Sequence, residues 1–276
     1  DESISLNPDF DMVWYRKALL LGELGDFKGK VEWANKYLQI NPEDAKAWYQ
    51  LGTAYDELKE WEEAVSAYKQ ALKSEPQNTE VLLKMATALN QLKKYKEADE
   101  TIERILRINT QIAEAWYQKG IAEEGLSEKL KSIDSFERCI KLDPSHKKAY
   151  VLKGVVLAEL EQFAKAAEHF DAAIRLDPDY EAPYFNKARA MIDLKEYEKA
   201  LETFEAGLER FKDSTDLMLG LADLYLRMRQ PDKSLELIER AISVNPALAE
   251  VIAIAPEFEK LRMNTKFQEL VRVSRG

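Results

Sequence analysis

The sequence predicts an all-α fold: a solenoid of stacked helix-turn-helix hairpins. Three observations predict it. Prolines at 8, 42, 76, 144, 178 and 246 stand on one 34-residue ladder, with Thr110 and Lys212 on the two rungs that lack a proline. Only Pro183, Pro231 and Pro256 lie off it. The hexapeptide AWYQLG at 47–52 returns as AWYQKG at 115–120, two rungs later. Within a rung, Trp48, Leu51, Gly52 and Tyr55 fall at i, i+3, i+4 and i+7, the spacing of one helix face. A single hairpin cannot bury such a face alone, so the units must stack on their neighbours.

Taken in order, residues 1–10 read as the tail of a preceding unit, because Pro8 is already on the ladder. Seven repeats follow at 11–44, 45–78, 79–112, 113–146, 147–180, 181–214 and 215–248, each with its ladder residue at position 32. Position 8 of the first helix is Gly or Ala throughout (Ala18, Gly52, Ala86, Gly120, Gly154, Ala188, Ala222), small enough for the paired helix to come close. Position 14 holds Leu24, Leu58, Leu92, Leu126, Leu160, Leu194 and then Met228. Phe27, Trp61, Tyr95, Phe163 and Tyr197 stand at position 17, in the turn or first turn of a second helix. Ala64, Tyr68 and Ala71 mark one face of that helix, and the ladder proline, usually after Asn or Asp, ends the unit. Residues 249–276 begin as an eighth first helix, with Pro256 at its position 8. The remainder, carrying Phe258, Leu261, Phe267 and Leu270, reads as capping helices over the last open face. Lys260, Arg262, Lys266, Arg272 and Arg275 would keep that cap soluble.

These residues resemble the tetratricopeptide repeat family, whose pattern is W-x2-L-G-x2-Y, then Ala, an aromatic, Ala and Pro. The second repeat supplies it at Trp48, Leu51, Gly52, Tyr55, Ala64, Tyr68, Ala71 and Pro76; the fifth supplies Tyr150, Gly154, Leu157, Ala166, Phe170, Ala173 and Pro178. Glu123, Lys30 and Gly207 depart from it at positions 11, 20 and 27. The resemblance implies one right-handed superhelical array whose first helices line a concave groove.

Composition removes several function classes. With 46% apolar residues the chain is not disordered by composition, and the lone Cys139 excludes a disulfide framework and a cysteine zinc cluster. A net charge of −10 and a pI near 5.0 disfavour nucleic acid. No apolar run approaches the roughly 18–20 residues of a membrane span, and no signal peptide opens the chain, so no membrane insertion and a cytoplasmic location are expected. The first residue is Asp1 rather than Met, which reads as a piece cut from a longer protein. His146 is read as a solvent-exposed turn residue, His169 as a residue of a second helix and Cys139 as a small buried hydrophobe. No zincin, P-loop or dinucleotide pattern occurs, and DPDY at 177–180 is an inter-repeat turn. No enzyme activity, cofactor or metal is expected.

Function then rests on a surface. The resemblance implies that positions 2, 5, 6, 9, 12 and 13 of each first helix face the groove. Position 5 is apolar or aromatic in every repeat: Tyr15, Tyr49, Leu83, Tyr117, Val151, Phe185 and Leu219. This stripe suits a peptide or amphipathic helix; packing against the adjacent helix is the alternative. Gln50, Lys84, Gln118, Ile121, Leu152, Val155, Asn186 and Arg189 complete the candidate site, with the section from Tyr117 to Phe185 as the most apolar part and the expected anchor. Eleven acids at groove positions (Glu23, Asp56, Glu57, Glu80, Glu114, Glu124, Glu159, Asp193, Asp216, Asp223, Glu250) outnumber Arg16, Lys46, Lys84, Lys148, Arg189 and Arg227. A basic or mixed-charge partner protein is therefore expected. The carboxylate clamp of chaperone-binding relatives is absent, its first register holding Tyr15, Leu19, Gln50, Glu80 and Lys84. The asparagine ladder of the O-GlcNAc transferase type is absent at position 6 as well. The expected function is a non-catalytic protein–protein interaction scaffold binding a peptide segment or helix. A regulatory or substrate-recruiting arm of a larger enzyme is the alternative, and self-association is a third reading.

Overall fold

A computed structural model describes residues 9–272, with side chains from Met12 onward. Pro8 with most of the expected leading tail, and Arg275, lie outside the described residues. Among the described residues the chain is helical, with sixteen α-helices, one 3-10 helix and no strand.

Two compact units divide it. The first, Asp1–Pro144, holds four hairpins: α1 (Asp9–Glu23) with α2 (Phe27–Ile40), α3 (Ala45–Glu57) with α4 (Trp61–Ser74), α5 (Thr79–Gln91) with α6 (Tyr95–Ile108), and α7 (Ala113–Gly125) with α8 (Lys129–Leu142). The second, Ser145–Gly276, holds α9 (Lys147–Glu159) with α10 (Phe163–Leu176), α11 (Ala182–Asp193) with α12 (Tyr197–Arg210), and α13 (Thr215–Arg227) with α14 (Pro231–Val244). There follow α15 (Leu248–Ile254), the 3-10 helix (Pro256–Leu261) and α16 (Thr265–Arg272).

The small residue at position 8 does more than permit close approach. A Cβ built on Gly52 would stand 2.5 Å from a ring carbon of Tyr68, one on Gly120 2.5 Å from Phe136, and one on Gly154 2.6 Å from Phe170. In these three repeats the aromatic at position 24 of the second helix lies flat against the glycine. Where position 8 is alanine, the partner is smaller: Ala18 with Ala34, Ala86 with Ile102, Ala222 with Ile238. Ala188 opposite Phe204 is the exception, and the Phe204 ring lies over Gly220 of the following repeat, where a Cβ would stand 2.7 Å away.

Every first helix also ends in the same way. Position 15 has a left-handed backbone in all seven repeats: Gly25 at φ 79°, and Lys59, Lys93, Ser127, Glu161, Lys195 and Arg229 between 57° and 64°. The next amide closes a six-residue ring back into the helix, as from Glu60 to the Tyr55 carbonyl at 2.9 Å and from Lys94 to Leu89 at 2.9 Å. This Schellman closure satisfies the terminal carbonyls and turns the chain toward the second helix. Six L-residues hold a conformation that costs each about 1 kcal/mol. The turn between repeats is pinned from the other side. Trp48 and Trp116 donate their indole N–H to the carbonyls of Pro42 (2.7 Å) and Thr110 (2.9 Å), and Tyr184 reaches Pro178 (3.1 Å), so position 4 ties to the preceding ladder residue.

At the C-terminal end α15 stops where Pro256 removes the next amide donor. The 3-10 helix and α16 then fold Phe258, Leu261 and Phe267 into the core of the second unit beside Ile252 and Ile238. Among the described residues no helix is long and apolar enough to cross a membrane.

Two outcomes follow for stability. Gly120→Ala forces Phe136 to move and lowers stability by ~1–2 kcal/mol even after the gain in helix propensity. With Phe136→Ile in the same chain, the pairing of repeat three, the double variant exceeds the sum of the single changes by about 1 kcal/mol. Strict additivity in urea unfolding would sink the contact. Lys93→Gly raises stability by ~0.5–1 kcal/mol and Gly25→Ala lowers it by a similar amount, read as opposite shifts of the thermal midpoint.

Candidate functional site

The first unit carries a depression of about 490 Å³ assembled from three successive first helices. Asp56 and Glu57 come from the last turn of α3, Leu83, Lys84 and Thr87 from α5, and Glu114 from the first turn of α7. Lys59, in the left-handed turn, and Trp61, the first residue of α4, close one side. Its apolar surface comes from Leu83 and the Trp61 ring. The Thr87 hydroxyl is spent on the Leu83 carbonyl at 3.0 Å. Three carboxylates face two ammonium groups.

Two tyrosines hold acidic side chains of α3 and α5, Asp56 in the depression and Glu80 outside its lining. Tyr49 donates to Glu80 Oε1 at 2.5 Å, and Tyr68 donates to Asp56 Oδ2. Asp56 Oδ1 is buried and has no protein hydrogen-bond partner. Burial pushes the Asp56 carboxyl above its ordinary range, against the opposing pull of the Tyr68 hydroxyl and the Lys84 ammonium. Burial, with Asp56 beside it, raises the Tyr68 phenol as well.

The other residues expected to line a groove divide by burial. In the first unit, Tyr15, Tyr49 and Tyr117 are half-buried, their rings 5.2, 6.1 and 6.0 Å from Tyr37, Tyr68 and Phe136. One face of each is thus committed to packing on the second helix of its own repeat. Ile121 and Gln50 are half-buried and Lys84 is exposed. Gln118 is a correction: it is buried, donating to Glu114 Oε1 (2.8 Å) and accepting from Asn90 Nδ2 (3.0 Å), because its long amide reaches the buried Asn90 donor. In the second unit Leu152, Val155, Phe185, Asn186 and Leu219 are half-buried and Arg189 is exposed, with the Phe185 ring 6.2 Å from Phe204. Val151 is the second correction, buried with 4% exposure. Asp223, counted among the groove acids, is buried and paired with Arg227 at 2.9 Å.

Sequence reasoning overlooked Lys59, Trp61 and Lys30 as contributors to this face. The first two lie outside the first helix, and only the turn brings them to the depression. Lys30 carried a signal: position 20 is Ala or Ser in the other six repeats.

The reactive residue types have structural places. His146 is half-buried rather than solvent-exposed, because its Nδ1 accepts the Ala149 amide at 3.1 Å and caps α9. His169 lies with its ring 6.0 Å from Tyr150. Cys139 is fully buried, its thiol pushed up to about 12 by burial and by Glu114 and Asp143, which makes it unreactive at neutral pH. Among the described residues no three His, Cys, Asp or Glu side chains are placed to hold a metal.

One buried ionic network stands apart from the depression, where Glu123 replaces the position-11 aromatic. Lys119 donates to Asp99 at 2.9 Å and to Glu103, and lies 3.7 Å from Glu123. Ser135 donates to Glu123 Oε2 at 2.6 Å. Burial pulls the Lys119 ammonium down, but the bonds from Glu103 and Asp99 outweigh it and hold the group above its ordinary range. Burial raises the Glu123 carboxyl, against Ser135 and Lys119.

The sequence matches tetratricopeptide repeat models over 59–119, 157–215 and 196–255, together more than half of the chain. Further models described as tetratricopeptide repeats match 117–181, 33–66 and 13–44. Among solved structures, a tetratricopeptide repeat protein from Parabacteroides merdae superposes with a TM-score of 0.68 at 15% identity, covering 96% of this chain and 99% of that one. The MamA protein is similar at 26% identity and a TM-score of 0.56, over 62% of this chain and 94% of its own. YrrB, described as a TPR protein with an unusual peptide-binding site, matches at 20% identity and a TM-score of 0.55, over 66% and 94%. No curated protein matches the sequence.

The ionic network predicts a pH signature. A carboxyl whose folded pKa is raised contributes stability below its unfolded value near 4.5 and loses it as pH rises through the folded value. Glu123→Gln therefore stabilises at pH 7, and the gain disappears as pH falls below the unfolded value. Lys119→Met leaves three carboxylates facing each other and costs ~2 kcal/mol at pH 7, discounted for the partial exposure of Asp99 and Glu103, and less at pH 4. Thermal midpoints of both variants across pH 4–7 check the pair.

Proposed function

The chain belongs to the tetratricopeptide repeat family of protein–protein interaction scaffolds, and we propose that it holds a peptide segment or helix of a partner protein on the first-helix face of its repeats. One observation carries the reading: the depression of the first unit, where Leu83 and the Trp61 ring lie among Asp56, Glu57 and Glu114. Apolar surface beside carboxylates suits a side chain with an apolar stem and a cationic tip, so the bound segment places a lysine or arginine there next to a large apolar residue. An arriving ammonium or guanidinium offsets the charge of Asp56, Glu57 and Glu114, which outnumber Lys59 and Lys84 in the depression. Trp61 offers its ring face to the same cation. In the second unit, Leu152, Val155, Phe185 and Leu219 provide a further apolar stretch, with Asn186 and Arg189 as its polar contacts. The same fold carries a peptide-binding site in YrrB, which supports the choice of ligand class.

A random peptide library selected on the full chain tests this. Enriched sequences should pair Lys or Arg with a large apolar residue. Asp56→Lys should weaken their binding at least tenfold, about 1.4 kcal/mol, with the loss shrinking in high salt. Peptides that bind wild type, Asp56→Lys and Leu83→Glu equally well would overturn the assignment of the site.

A further inference from the structure

Lys30 occupies a place that the repeat pattern reserves for Ala64, Ala98, Ser132, Ala166, Ala200 and Ser234. Its stem leaves α2 past Gly22 of α1, where a Cβ would stand 2.8 Å from Lys30 Cδ and 3.3 Å from Nζ. A side chain at 22 would displace the lysine stem from this path. The ammonium then donates to Gln50 Oε1 at 2.8 Å and Thr53 Oγ1 at 3.0 Å. These belong to positions 6 and 9 of α3, the face on which the proposed binding depression lies. The Lys30 side chain is buried, with 7% exposure, and both of its hydrogen-bond partners are neutral. Burial lowers its pKa, with Glu57 pulling the other way from beyond ion-pair distance.

We propose that Lys30, Gln50 and Thr53 form an anion-accepting point on the groove face of the first unit, which takes a carboxylate of the bound partner. Lysine has donors only, so the Gln50 oxygen must face it, and this leaves the Gln50 amide hydrogens uncommitted. The Thr53 hydroxyl hydrogen is already given to the Gln50 carbonyl at 2.8 Å, so Thr53 serves only to steady the ammonium. The third ammonium hydrogen and the Gln50 amide together give a carboxylate two donors, one of them charged. A buried cation held by neutral groups alone is under-compensated, and an arriving carboxylate supplies the missing charge. The inference rests on the first-helix face being the binding face, and it gives the bound segment a polarity. An acidic group lies opposite Lys30, one repeat before the basic group opposite Asp56, Glu57 and Glu114.

The test uses no peptide, so its failure is distinct from failure of the groove reading. The ¹⁵N-labelled full chain is titrated with sodium acetate replacing chloride at constant ionic strength. The Gln50 side-chain amide and the Thr53 backbone amide should shift saturably with a midpoint of ~10–50 mM, as one or two charge-assisted hydrogen bonds deliver. Lys30→Met should abolish the response. Gln50→Glu offers a second route should that variant not fold: its own carboxylate occupies the lysine, so the Thr53 response disappears and the thermal midpoint rises. N-acetylglycine and N-acetylaspartate amide present a chain-end and a side-chain carboxylate; a response to either supports the point, and the stronger one names the source. A shift still linear at about 200 mM acetate, one that persists in Gln50→Glu, or one given by inorganic phosphate but not by acetate overturns the proposal.

Discussion

The structure depends on one contact, the ring of a second helix laid against the small residue at position 8 of the first. A hairpin has no core of its own, so the separation of its two helices must be fixed before neighbours can stack on it. At Gly52, Gly120 and Gly154 the ring carbons stand 2.5–2.6 Å from where a Cβ would be, which leaves no slack. Alanine repeats reach a comparable fit by shrinking the other partner, to Ala34, Ile102 or Ile238. Total volume is nearly the same across the Gly–Tyr, Gly–Phe and Ala–Ile pairs, as close packing requires, while Ala18 with Ala34 falls below it and Ala188 with Phe204 above it. Phe204 shows the same rule carried across a repeat boundary: beside Ala188, it finds its glycine at 220.

That commitment of residues to packing decides what is left for binding. The sequence left the position-5 residues two roles, a binding stripe or packing against the adjacent first helix; in the structure Tyr49, Tyr117 and Phe185 each lend a face to the second helix of their own repeat. The surface available to a partner therefore comes from positions on either side of them and from the turn. Asp56 and Glu57 at a helix end, Lys59 in a left-handed turn and Trp61 at the start of the next helix meet Leu83 and Lys84 in one depression. A helical wheel of the first helix alone contains only part of that set.

The all-α class and the hairpin repeat were legible because the ladder prolines, the position-8 residues and the position-14 leucines recur without insertion. Burial at single positions was not, because it depends on a specific partner. Gln118 shares its repeat position with Gln50, but Asn90 opposite it draws it inward, whereas Gln50 turns its oxygen to Lys30. The left-handed turn was also hidden: Lys, Ser, Glu and Arg at position 15 give no sign of positive φ, and only Gly25 does. Helix closure there is imposed by the Schellman bonds and the stacked second helix, which override local preference.

Near-identical hairpins raise a problem of order that apolar packing cannot solve, since any apolar face of one fits the face of another. Polar pairs also join consecutive repeats within each unit. Within the first unit, Lys30 meets Gln50 and Thr53, Tyr49 meets Glu80, and Asn90 meets Gln118 beside the Lys119 network. Within the second, Lys187 pairs with Asp171 at 2.7 Å and Arg210 with Asp179 at 2.9 Å. The Lys30 set is particular to its junction, since no other repeat has lysine at position 20, whereas Lys119–Glu103 and Lys187–Asp171 repeat one pairing of position 7 with the preceding position 25. A wrong neighbour would strand Lys30 in a buried site without Gln50 and Thr53, at a cost far above the small net gain of the correct set. Lys30, a departure from the family pattern, lies at such a junction, where it adds little to stability in the right arrangement and much to the penalty for the wrong one, and its ammonium reaches the face proposed to bind.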